Sequence, residues 1–172
     1  ATAVLQLVEE GRLDLDAPAR DYLPMIGERQ VLEGFDSDGS PRLHPQKKPI
    51  TTRMLLLHTA GFGYEFFNEH YNRLAREQGL PGIISGSLAA LQTPLLFEPG
   101  AQWEYGSNLD WAGLVVEAIT GQRLGEVMQQ RIFEPLGMTD TAFTMTPSML
   151  QRRACLHQRE VDGSLSVLED FI

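Results

Sequence analysis

The sequence predicts a mainly α fold carrying two β-hairpins, an α+β arrangement, and three observations lead there. Apolar residues recur at helical spacing in segments that stop at Gly or Pro, as with Ala1, Val4, Leu5 and Val8 ahead of Gly11. Two other stretches read as strand, turn, strand: about 30 to 48, around Asp36-Ser-Asp-Gly-Ser40, and about 154 to 168, around Asp162-Gly163. A chain of 172 residues can also bury roughly 70% of its unfolded surface. One domain over residues 1–172 is therefore the default.

Residues 1 to about 10 form the first expected helix, with Gly11 as its C-terminal cap. Leu13 to Pro18 connects onward with two leucines for the core, and Asp21-Tyr-Leu-Pro24 makes a single turn. In the first hairpin, Pro41, Pro45 and Pro49 mark the return strand as an edge, because proline cannot donate to a ladder. Thr51 caps a short helix bearing Met54, Leu55, Leu57 and His58, which Gly61 ends. The loop Gly61-Phe-Gly-Tyr-Glu-Phe-Phe67 is rich in aromatic residues and glycine. Helices follow at about 68 to 78, stopped by Gly79 and Pro81, and at about 85 to 92, stopped by Pro94. Trp111, Ala112, Val115 and Ile119 place another helix before Gly121, and Leu124, Val127, Met128 and Ile132 place one over about 123 to 133. Pro147 opens a short helical turn near Met149. Ala1 follows no capping residue, and Leu168 to Ile172 stops directly after a strand, so both ends read as cut.

The stretch from Phe97 to Trp111 stands at the centre of this pattern. Glu98-Pro-Gly100 fixes a turn, since proline sets φ and glycine permits the positive φ of a type II turn. Trp103 and Tyr105 then alternate with polar residues, and a helix starts at Ser107 or Asn108. A phenol is thus presented at a loop-to-helix junction, where a side chain can be held yet stay open to a ligand. Ser107 with Asp110 three residues on reads as a capping box with aspartate in place of glutamate.

Composition narrows the partners. Fourteen basic against 23 acidic residues give a net charge of −9, with lysines only at 47 and 48, which argues against nucleic acid or an anionic membrane. No apolar run approaches the ~20 residues of a membrane span. The lone Cys155 cannot form an internal disulfide and does not settle between cytoplasm and periplasm, with the cytoplasm favoured. His44, His58, His70 and His157 lack zinc-binding spacing, so no metal is expected. Gly82-Ile-Ile-Ser-Gly86 misses the nucleophile-elbow pattern by one position.

Several phrases then coincide in order: residues 5 to 18, LQLVEEGRLDLDAP; residues 50 to 62, ITTRMLLLHTAGF; Glu98-Pro-Gly100; Tyr105; and residues 132 to 143, IFEPLGMTDTAF. Together they resemble the serine beta-lactamase-like superfamily, in its class C beta-lactamase and family VIII carboxylesterase branch. The resemblance covers nearly the whole chain and implies the helical subdomain of an α/β serine hydrolase, with most of the main sheet absent. In that family a Ser-x-x-Lys motif supplies nucleophile and base, and it should stand just ahead of Ala1. None of the eight serines here has lysine three positions later. A third motif, Lys/His/Trp-x-Gly, would lie beyond Ile172.

The resemblance makes Tyr105 the catalytic tyrosine, relaying a proton among serine, lysine and leaving group. Taken alone, it would read as a tyrosine packed on Trp103. Many relatives carry Tyr-x-Asn, whereas this chain has Tyr105-Gly-Ser107-Asn108, a departure that tilts the expectation toward an esterase. Asn108, Trp103 and Phe62 are the expected substrate contacts, and His58 is expected to make a structural hydrogen bond. Phe62, Tyr64, Phe66 and Phe67 either line an acyl pocket or pack their loop onto the helices. The expectation is part of a serine hydrolase, esterase or beta-lactamase-like, acting on a small-molecule ester or lactam through an acyl-serine and using no cofactor. The 172 residues alone are expected to be inactive and to self-associate. The alternative is a non-catalytic binding protein or pseudoenzyme that keeps the helical subdomain.

Overall fold

The computed structural model describes residues 1–168; the expectation for the end of the chain from residue 169 on lies outside the described residues. Among the described residues the chain carries helices and two antiparallel two-stranded sheets, as its periodicities predict. The helices are α1 (Thr2–Glu9), α2 (Thr52–Leu56), α3 (Glu69–Gln78), α4 (Asn108–Thr120), α5 (Leu124–Met128) and α6 (Pro147–Arg152). The strands are β1 (Gln30–Phe35) and β2 (Pro41–Pro45), then β3 (Leu156–Arg159) and β4 (Leu165–Leu168). Two compact units divide the chain, Ala1–Met128 and the residues from Gln129 on.

In the first unit α4 is the central element, with α1, α2 and α5 packed against it. Its Trp111, Val115 and Val116 are buried, as are Leu7 of α1 and Leu55 of α2. The Arg12 guanidinium closes the α1 side by donating to the Ile119 carbonyl at 2.7 Å. Thr51 caps α2 as its sequence position predicts, its Oγ1 accepting from Met54 N–H at 3.2 Å.

The β1–β2 hairpin shifts register between Leu32 and Gly34. On its other edge, β1 takes a short parallel bridge from Leu95. Leu32 N–H donates to Leu95 O at 2.8 Å, and Leu95 N–H to Gln30 O at 2.7 Å. The proline-bearing β2 is left as the free edge, since its prolines have no N–H to offer a further strand. Leu32 packs with Tyr71 and Leu74 of α3, and the Arg73 guanidinium stands 4.1 Å over the Phe35 ring.

Two expected helices take other forms. About 85 to 92 is not a continuous helix but two 3₁₀ turns, Ile83–Ser85 and Leu88–Leu91, separated by Gly86 in the left-handed region. Ser87 explains the restart, because its hydroxyl caps the second turn through Ala90 N–H. The helix expected over about 123 to 133 begins as α5 and continues as a π-helix, Gln129–Phe133. The 3.6-residue spacing read from the sequence cannot register such a widened turn.

In the second unit, α6 starts at Pro147 and is capped by Thr146, whose Oγ1 accepts from Met149 N–H at 3.2 Å. Arg152 pairs with Asp140. The β3–β4 hairpin turns at Asp162-Gly163, where the Asp162 carboxylate accepts from Ser164 N–H at 2.9 Å.

Candidate active site

Tyr105 lies in a segment zippered to the loop after α2. Leu96 N–H donates to Gly61 O at 2.8 Å, Gly100 N–H to Thr59 O at 2.8 Å, and Glu104 N–H to His58 O at 3.0 Å. Ala101 N–H closes the Glu98-Pro-Gly turn onto Glu98 O at 3.0 Å, with Gly100 at φ 84°. These bonds engage backbone donors along the approach to the tyrosine from its N-terminal side, which fixes that part of the loop without a regular strand.

The two loops touch most closely at Gly106. A Cβ there would lie 2.4 Å from both Gly63 Cα and Phe62 O, so only glycine fits this approach. Beneath it, Asn108 is fully buried at the first residue of α4. Its Nδ2 lies 3.1 Å from Phe62 O, 3.2 Å from His58 Nδ1 and 3.4 Å from Glu104 O. Phe62 is buried too, stacked on Trp111 with ring centroids 5.4 Å apart. Sequence reading made Asn108 and Phe62 substrate contacts; the structure puts both underneath the loop, where they tie it to α4.

Ser107 does not cap α4 as its spacing predicts. It occupies the N-cap position with φ −68° and ψ 19°, and its side chain makes no cap hydrogen bond. A capping hydroxyl needs extended backbone to turn back toward the first amides, and this serine is already close to helical.

Above the loop, the exposed side chains converge. Trp103 is 65% and Tyr105 49% exposed, and Phe66 and Phe67 stand open beside them. Tyr105 meets Tyr64 edge-on at 5.5 Å, Phe67 at 6.4 Å and His58 at 4.8 Å between ring centroids. Tyr64 also stacks on Phe66 at 5.0 Å. Of the four aromatics of that loop, Phe62 therefore packs inward, while Phe66 and Phe67 form an apolar wall next to Tyr105. Burial pushes the Tyr64 phenol up to about 12.

His58 is the residue whose prominence here spacing could not give. Among the described residues it is the non-glycine residue with positive φ, 57°. Its Nδ1 accepts from Gly106 N–H at 3.4 Å, with the Asn108 amide alongside. Leu-His-Thr-Ala-Gly in the sequence signals a hydrogen bond, and the structure supplies one; the loop it reaches is 48 residues away. Burial holds the imidazole below the ordinary histidine range, opposed in part by the Asp110 carboxylate. The unfolded chain therefore binds a proton at this position before the folded one does. The associated stability is intact above about 6.5 and should decline as pH falls through the lower folded value. Urea midpoints of wild type and His58→Asn measured against pH should diverge in that window; parallel curves would remove His58 as the cause.

Among the described residues, no group of three His, Cys, Asp or Glu side chains could hold a metal ion, and no helix is long and apolar enough to cross a membrane.

A family model described as Beta-lactamase matches residues 1–170. The monacolin J acid methylbutanoyltransferase of Aspergillus terreus is 41% identical over 169 residues, spanning 94% of this chain and 40% of that protein. The lovastatin esterase of Penicillium rubens is 43% identical over 143 residues, spanning 82% of this chain and 36% of the esterase. Unliganded simvastatin synthase (LovD) from Aspergillus terreus superposes with a TM-score of 0.88 at 40% identity, over 96% of this chain and 43% of that one. EstCE1, a hydrolase with promiscuous acyltransferase activity, shares the fold at a TM-score of 0.74 and 24% identity, over 99% of this chain and 42% of that one. The chain thus spans less than half the length of these relatives.

Proposed function

The chain belongs to the Beta-lactamase family, and from that premise we propose that it is the helical part of a serine enzyme moving acyl groups from small-molecule esters through an acyl-serine. The observation that carries this reading is Tyr105, a half-exposed phenol on a loop pinned from both sides and walled by aromatic rings. In this reading the serine and its lysine lie outside these 172 residues, within which no serine has lysine three positions later.

In the proposed cycle the serine Oγ bonds to the ester's acyl carbon, and the bond from that carbon to the alcohol oxygen breaks. Tyr105 passes the serine's proton to the departing alcohol. Water or a second alcohol then attacks the acyl-serine, giving up its proton along the same route and restoring the serine hydroxyl. The cycle as written uses no metal or cofactor. Trp103, Phe66 and Phe67 provide apolar surface for the ester, while Asn108 and Phe62 serve from below by holding the loop. Esters are favoured over lactams because similar proteins include a methylbutanoyltransferase and an esterase.

Incubating the full-length protein with p-nitrophenyl butyrate, quenching in acid and measuring intact mass tests this reading. The expected result is one butyryl adduct, mapped by peptide analysis to a serine outside residues 1–172, with none on the 172-residue chain alone. Absence of any adduct and of ester turnover would instead support a non-catalytic binding protein.

A further inference from the structure

The structure assigns His58 a role as the positioning residue for Tyr105: its Nδ1 lone pair latches the Trp103–Asn108 loop onto the loop after α2 through Gly106 N–H and the Asn108 amide. The inference rests on the reading of Tyr105 as the proton-relaying group.

The atoms leave little freedom in the latch. A backbone N–H can only donate, so Gly106 requires Nδ1 to be an acceptor, and the imidazole must carry its proton on Nε2. Asn108 Nδ2 also faces Phe62 O and Glu104 O, two acceptors, which orients the amide with its nitrogen toward the histidine. His58 O accepts from Glu104 N–H at 3.0 Å, so backbone and ring of one residue grip both sides of Tyr105. The same ring lies against Tyr105, with centroids 4.8 Å apart, and 6.4 Å from that of Trp103.

The backbone at 58 is part of the device. A non-glycine residue at φ 57° is strained by about 1–2 kcal/mol, a cost that a residue held in several contacts can sustain. The left-handed turn lets the ring and the carbonyl of His58 reach the same partner loop. The Asp110 carboxylate acts on the ring electrostatically and the Tyr105 phenol lies against it.

A conservative series separates positioning from mere bulk. Asparagine places Oδ1 where Nδ1 stands and tolerates left-handed backbone, whereas glutamine places its amide one bond too far. In the full-length protein, His58→Asn should keep p-nitrophenyl butyrate turnover within about 3-fold. His58→Gln and His58→Ala should lose roughly 10- to 100-fold in kcat with little change in KM, as expected for a displaced reacting group. Gly106 amide exchange should be slow in wild type and His58→Asn and fast in His58→Ala.

Nitrogen NMR of the wild-type imidazole requires no variant: a protonated Nε2 and bare Nδ1 are expected, and a protonated Nδ1 would overturn the latch. So would His58→Asn being as impaired as His58→Ala, or His58→Ala retaining full kcat while Tyr105→Phe loses it. Failure of the catalytic reading shows differently: Tyr105→Phe would keep its turnover while the imidazole tautomer and Gly106 exchange remained as expected.

Discussion

Tyr105→Phe should lower acyl transfer by the full-length protein about 10²- to 10⁴-fold in kcat, the range carried by a positioned proton-transfer group. The change removes only a hydroxyl. The ring keeps its contacts with His58, Tyr64 and Phe67, and it is half-exposed, so stability should stay within about 0.5 kcal/mol. Measuring kcat and the urea midpoint on the same preparation distinguishes lost chemistry from lost fold. Tyr64→Phe is the matched control, because it removes the hydroxyl of the ring that meets Tyr105 edge-on and leaves the Tyr105 phenol in place. Its kcat should remain within a few-fold of wild type. Unchanged turnover in Tyr105→Phe, or an equal loss in both variants, would remove Tyr105 from the chemistry.

The contrast between these tyrosines marks how far sequence carries. Periodicity and turn chemistry are local, and they identified α1, the two hairpins, the Thr51 cap and the loop-to-helix setting of Tyr105. The same local logic misjudged Ser107, because capping depends on a backbone angle that residue type does not determine. The family resemblance, not local spacing, made Phe62 and Asn108 expected substrate contacts, and both side chains are buried. Proximity to Tyr105 along the chain, or membership of an aromatic loop, does not say which face a side chain takes. Phe62 turns inward because Trp111, one turn into α4, offers a ring to stack on. Asn108 turns inward because its two amide N–H groups find acceptors there, Phe62 O at 3.1 Å and His58 Nδ1 at 3.2 Å, with Glu104 O at 3.4 Å. Both facts arise only when residues nearly 50 apart meet, beyond what spacing can register.

That meeting depends on one missing side chain. Gly106→Ala should be the most damaging small substitution in the site, costing about 3 kcal/mol or more and abolishing turnover. The added Cβ would lie 2.4 Å from Gly63 Cα, 2.4 Å from Phe62 O and 2.5 Å from Gly63 C. Those are backbone atoms, held by the zipper bond at Gly61 O and the Asn108 amide at Phe62 O, so no side-chain rotation relieves the clash. Relief requires the two loops to part. Separation would stretch the bond from Gly106 N–H to His58 Nδ1, draw Asn108 from Phe62 O and move Tyr105 off its support. Gly79→Ala isolates this steric effect from backbone strain. Gly79 ends α3 at φ 67° with no atom within 4 Å of a new Cβ, so alanine there costs only the strain of its backbone, about 1 kcal/mol. Urea unfolding should show a clearly larger loss for Gly106→Ala than for Gly79→Ala, and activity should survive only in the latter. Equal losses would mean that the loops can separate freely, and the tight approach of Gly106 to Phe62 and Gly63 would then have no part in holding Tyr105.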